Sequence, residues 1–165
     1  MERNNNSDII VKPVKKKYIN KKALTNLIKY TWQKEKAIHK LYGGYGSRTN
    51  NAELAAKDFI ETRKIFQKFP STFARHKVIS FENELLSTPQ QAFEIAKEIV
   101  TYYTDNFQVI YGIHEDRDKN YHIHLIINSV SYKNGKIFHE GLPDNIKFQE
   151  YIRKVLEIYQ KNEII

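Results

Sequence analysis

The sequence predicts an α+β domain built on a mainly antiparallel central sheet of about five strands with flanking helices. Segments of strand-like alternation and of helical period are both present, yet they do not follow one another as regular βαβ units. Two helix starts carry capping-box patterns, at Asn50 with Glu53 and at Thr88 with Gln91. Asn134-Gly135, between Val130 and Phe138, marks a tight turn for a late hairpin.

Residues 1–8 are polar and expected to fray, which leaves 9–165 as one domain. Ile9 to Tyr18 alternates loosely and reads as the first strand, with Pro13 placing it at an edge or a bend. Asn20 precedes a helix to about Ile38, with Leu24, Leu27, Ile28 and Thr31 at helical spacing. Gly43 to Ser47 reads as a flexible loop. The helix opened by Asn50 buries Ala52, Ala55, Ala56, Phe59, Ile60, Arg63 and Phe66. A strand over Phe73 to Phe81 follows. The next helix has Thr88 as its cap, Pro89 in first position, and a stripe of Ala92, Ile95, Ala96, Ile99 and Tyr103. Phe107 to His114 and Tyr121 to Ser129 read as two further strands. A last helix spans about Asp144 to Tyr159, with Phe148, Ile152, Val155 and Tyr159 on one face.

Composition narrows the function classes. No apolar stretch is long enough to span a bilayer, and none near the start resembles a signal peptide. The absence of cysteine excludes disulfides and thiolate metal sites, and a reducing, cytoplasmic location fits it. The 27 basic residues exceed the 19 acidic ones, giving a formal charge of +8. Lys12, Lys15, Lys16, Lys17, Lys21 and Lys22 crowd one segment, and the chain carries 11 tyrosines and 9 phenylalanines. Cations beside aromatic rings suit single-stranded nucleic acid, which offers phosphates and unstacked bases together. The same composition also occurs in lysine-rich proteins with no nucleic-acid role.

The chemistry concentrates between Tyr111 and Asn128. His122 and His124 share one strand face with Ile126 and Asn128, while Tyr121, Ile123, Leu125 and Ile127 take the other. His114 ends the preceding strand, so antiparallel pairing brings three imidazoles to one end of the sheet. Three neutral imidazoles bind a divalent cation and leave coordination positions open. Such a cation polarises a phosphoryl oxygen and neutralises charge developing in the transition state. Asp116 is placed to accept a hydrogen bond from an imidazole and fix its tautomer.

His-x-Asp, five residues, then His-x-His-x-x-x-Asn, here His114, Asp116, His122, His124 and Asn128, resembles the metal motif of the relaxase/mobilization nuclease family. These are histidine-hydrophobic-histidine endonucleases that nick the transfer origins of plasmids and integrative elements. Arg75-His76-Lys77-Val78-Ile79-Ser80-Phe81 resembles the family's second motif, and Leu27-Ile28-Lys29-Tyr30 its first, with the similarity running over about residues 20–140. The resemblance implies a single relaxase-type nuclease domain over 9–165. Tyr30 would attack the scissile phosphodiester and form a 5′-phosphotyrosyl link. His114, His122 and His124 would hold Mg²⁺ or Mn²⁺, and Asp116 would assist the catalytic step. The six lysines would track the backbone of single-stranded transfer-origin DNA, and accessory mobilization proteins are expected partners. His76 and Asn128 have no assigned role beyond support of the site.

Tyr42 and Tyr45 remain rival nucleophiles. A rolling-circle replication initiator or transposase of the same superfamily would draw its nucleophile from after the histidines, where Tyr151 and Tyr159 lie. A DNA-binding remnant without catalysis and a hydrolase that activates water are also open. Family members usually continue beyond this length, so a minimal relaxase and a fragment of a longer protein both fit.

Overall fold

The structure is a computed structural model, and it describes residues 9–32, 41–82 and 85–163. In chain order the elements are β1 (Ile9–Val14), α1 (Lys21–Trp32), β2 (Tyr42–Tyr45), α2 (Ala52–Ile65) and β3 (Ala74–Phe81). They continue with α3 (Pro89–Thr104), β4 (Val109–Glu115), β5 (Tyr121–Asn128) and α4 (Leu142–Glu163). The five strands form one sheet in the order β1-β3-β5-β4-β2, with every neighbouring pair antiparallel. The α+β class and the five-stranded antiparallel sheet are as the sequence predicts.

Each face of the sheet is covered by one pair of helices. Leu24, Leu27 and Ile28 of α1 join Ala55, Ala56 and Phe59 of α2 over Ala74, Ile110 and Ile126. On the opposite face, Ile95 and Ile99 of α3 and Phe148 and Ile152 of α4 pack over Ile79, Ile123, Leu125 and Ile127. The central strand β5 is therefore apolar at most positions, and each aliphatic side chain so buried contributes about 1.5–3 kcal/mol. Asn20 accepts at Oδ1 from the Ala23 N–H (2.8 Å) and starts α1. Thr88 and Gln91 form a complete capping box at α3. No helix among the described residues is long and apolar enough to cross a membrane.

Several boundaries differ from expectation for identifiable reasons. Gly43 and Gly44 belong to strand β2, not to a flexible loop. A Cβ on Gly43 would lie 2.6 Å from the Tyr111 hydroxyl, so glycine there serves close strand approach. The cap of α2 is Asn51, which accepts from the Leu54 N–H at 3.0 Å, and not its neighbour Asn50. The Asn134-Gly135 turn closes a single bridge, Val130 to Ile137, because Ser131 and the following turn leave the ladder at once. Helix α4 starts before Asp144, at Leu142, and runs past Tyr159. The expected continuation of α1 to Ile38 and the frayed start at 1–8 lie outside the described residues.

One buried charge pair ties α4 to the sheet. Lys77 of β3, 1% exposed, donates to Glu140 and to Asn145 Oδ1 (2.6 Å) between the rings of Phe138 and Phe148. Burial lowers its pKa, and Glu140 opposes that shift. Removing one partner leaves a lone charge in an apolar layer, whereas replacing both can be near neutral. Glu140→Ala is expected to destabilise the domain by about 3 kcal/mol in denaturant unfolding, and Lys77→Met with Glu140→Leu to recover most of it.

Candidate active site

Cross-strand partners point to the same side of a sheet, so the register defines three rows on the face shared with α1 and α2. One row runs Ile10, Ser80, His122, His114; the next Lys12, Val78, His124, Gly112, Tyr42; the third Val14, His76, Ile126, Ile110. Helices α1 and α2 cover the third row and leave the first two partly open, with Ile10 50% exposed. The three motif histidines thus stand together at the open end of this face.

Helix α1 reaches them because Gly112 has no side chain. A Cβ at Gly112 would lie 2.0 Å from the Thr31 carbonyl oxygen, so the last turn of α1 rests directly on β4. The Thr31 carbonyl accepts from His114 Nε2 at 3.0 Å. One residue earlier, the Tyr30 ring stands edge-on to His114 (5.1 Å, 82°) and to His124 (5.3 Å, 87°). The two imidazoles overlap at 3.9 Å, and Tyr30 keeps half its surface in solvent. A solvent-open phenol thus contacts one histidine of the His-x-His strand β5 and the histidine near the end of the neighbouring strand β4. A family model described as the relaxase nuclease domain of MobA/VirD2-like type matches residues 18–161. The chain belongs to this relaxase family. The curated Protein rlx of Staphylococcus aureus is similar, at 29% identity over 104 residues, which is 63% of this chain and 31% of that protein. The relaxase domain described here therefore spans about a third of that relative's length. No solved structure matches the chain significantly.

In this relaxase domain the remaining polar groups form short chains behind the histidines. His122 Nε2 lies 3.2 Å from Asp116 Oδ2, whose other oxygen accepts from the Asp118 and Asn120 N–H groups at 2.9 Å each. The hydrogen bonds from Asn120 and its neighbours hold the Asp116 pKa below the usual carboxylate range. His124 Nδ1 meets His76 Nε2 at 3.0 Å, and His76 Nδ1 meets the Tyr18 hydroxyl at 3.1 Å. Burial, followed by the neighbouring histidines, pushes His76 down to about 4 and His124 to about 3. Burial likewise lowers His114, against the pull of the Thr31 carbonyl. These three rings are neutral at neutral pH, the state in which imidazole ligates metal.

His114, His122 and His124 suit a divalent cation in donor type and number, and they share one face. Their present hydrogen bonds occupy His114 Nε2, His122 Nε2 and His124 Nδ1, and each ring has a second nitrogen. As they stand, no three histidine, aspartate or glutamate side chains among the described residues converge to hold an ion.

Other expected site residues are spread more widely. Lys12 is exposed in the same row as His124, two strands or about 10 Å away. Lys15, Lys16 and Lys17 are exposed after β1, and Lys21 and Lys22 are exposed in the first turn of α1. Asn128 lies at the far end of β5, fully buried, donating to the Phe59 carbonyl (3.2 Å) and Gln108 Oε1 (2.6 Å). It braces α2 against the sheet. Among the rival tyrosines, Tyr42 packs on Trp32 (5.3 Å), and Tyr45, opposite Val109, faces the other side of the sheet beside Tyr132. Tyr151 on α4 bonds Thr101 (2.7 Å), and Tyr159 packs against the α3–α4 core, so both lie across the sheet from the histidines.

Gly112, Thr31 and Tyr18 are parts of the site that motif reading missed. A glycine inside a strand, two residues before His114, was the available signal for a close approach. Gly112→Ala is expected to destabilise the domain by about 2 kcal/mol and to separate Tyr30 from His114, lowering activity at the site. Gly141→Ala is its control, because a Cβ there meets nothing closer than 3.4 Å. Denaturant unfolding of the two variants side by side checks it: equal stability would mean that α1 does not depend on this contact.

Proposed function

We propose that this domain nicks and rejoins single-stranded DNA at the transfer origin of a plasmid or integrative element, with Tyr30 as nucleophile. The observation that carries the reading is the double edge contact of Tyr30 with His114 and His124, on a half-exposed ring. Family membership supports the nuclease class.

His114, His122 and His124 are the residues to hold a divalent cation, Mg²⁺ or Mn²⁺. When bound, the ion polarises the scissile phosphate and neutralises charge that develops on it. Tyr30 Oη attacks phosphorus, an O–P bond forms, and the bond to the 3′-oxygen breaks. The phenol gives up one proton and the departing 3′-oxygen gains one. One phosphodiester replaces another, which keeps the bond energy and lets a 3′-hydroxyl reverse the step. A free phenol has a pKa of about 10, so its environment must favour the phenolate at the moment of attack. Asp116 acts through His122, whose imidazole it orients, and Lys12 extends the row of His124 toward the DNA backbone. The lysines from Lys12 to Lys22 supply counterion-releasing contacts along that backbone. Accessory mobilization proteins are expected to complete recognition of the origin.

The test combines purified protein, Mn²⁺ and end-labelled single-stranded transfer-origin DNA, resolved on a denaturing gel. Wild type should give a detergent-resistant adduct that EDTA abolishes, and Tyr30→Phe should reduce adduct by at least about a thousandfold while still binding DNA. An adduct undiminished in Tyr30→Phe would move the nucleophile elsewhere. Cleavage without any adduct would instead favour water as the attacking group.

A further inference from the structure

Among the described residues, His76 is the one histidine of this face outside the metal motif. Its two ring nitrogens are both engaged, Nε2 with His124 Nδ1 at 3.0 Å and Nδ1 with the Tyr18 hydroxyl at 3.1 Å. The ring is 6% exposed and lies tilted against His124, with centroids 5.2 Å apart. Tyr18 is itself fixed, since its N–H donates to Thr72 Oγ1 (3.0 Å) and its carbonyl accepts from the Phe73 N–H (2.8 Å). The far end of the chain is therefore anchored to the segment entering β3, the strand that carries His76.

A line of three hydrogen-bonding groups has only certain consistent proton arrangements. For His124 to present an unshared pair at Nε2, its proton must sit on Nδ1 and point to His76 Nε2. His76 Nε2 must then be the acceptor, which places the His76 proton on Nδ1, donated to the Tyr18 oxygen. We propose that Tyr18 and His76 are positioning residues that hold His124 in its Nδ1–H tautomer, which leaves Nε2 unprotonated as a ligand atom. The inference rests on the reading of these three histidines as the cation site. A neutral imidazole takes here the place that a carboxylate or carbonyl fills behind many metal-bound histidines. It orients the ligand without adding negative charge to the phosphate-binding face, where such charge would repel DNA. Asp116 performs the same task behind His122, but at an exposed position, where water screens it.

Two readouts test this apart from activity. Long-range ¹⁵N–¹H spectra of the metal-free protein should show His124 as the Nδ1–H form in wild type and as the commoner Nε2–H form in His76→Leu. Mn²⁺ titration followed by electron paramagnetic resonance should show about 10–100-fold weaker uptake in His76→Leu and a smaller loss in Tyr18→Phe. His76→Gln, whose side-chain oxygen can accept from His124 Nδ1, should restore most of the affinity; it also serves if His76→Leu fails to fold. An Nε2–H form of His124 in wild type, or Mn²⁺ uptake unchanged in His76→Leu, overturns the proposal. A wild-type protein that shows the Nδ1–H form but takes up no Mn²⁺ overturns the metal reading instead, and leaves the orienting chain supported.

Discussion

The contact between the last turn of α1 and β4 is the constraint on which the site depends. Helices usually sit about 10 Å above a sheet because side chains separate the backbones. At Gly112 that spacer is missing, and the Thr31 carbonyl would overlap a Cβ placed there. The approach does two things at once. It gives the Thr31 carbonyl a donor in His114. It also lowers Tyr30 onto two imidazoles whose positions are set independently by the ladder between β4 and β5.

The two faces of the sheet handle buried polarity differently. On the α3–α4 side, Lys77 is compensated by a formal charge, Glu140, and by an amide from α4, within a layer of phenylalanine rings. That arrangement is closed and serves attachment. On the α1–α2 side, His76 and His124 are compensated by each other and by Tyr18, with no formal charge among them. Neutral groups add no negative charge to the face that carries the three motif histidines. A single β3 strand carries both devices on consecutive residues, His76 and Lys77, because neighbouring side chains point to opposite faces.

Local signals made much of the architecture legible. The period of two in β5 was enough to put His122 and His124 on one face, and the Thr88–Pro89–Gln91 pattern located α3 without knowledge of its surroundings. Where the deciding partner is distant, sequence reading had nothing to work with. Gly43 reads as a flexible link until Tyr111 is seen to need the space. Asn128 matches a motif position, yet its amide is spent on Phe59 and Gln108, 69 and 20 residues away in sequence. His76 and Tyr18 are 58 residues apart, and no spacing rule links a tyrosine after one strand to a histidine within another. Lys77 lies in an ordinary-looking strand, and only its exposure distinguishes it.

Strand β1 forms one border of the sheet, paired on a single side with β3. Borders of this kind invite another chain to add a strand, and proteins blunt them with proline and lysine. Pro13 removes a backbone donor there, while Lys12 and the lysines after the strand surround the border with like charge. The like charge of these lysines thus opposes two copies of the domain joining edge to edge. Neutralising them would uncover a template for self-association along that border.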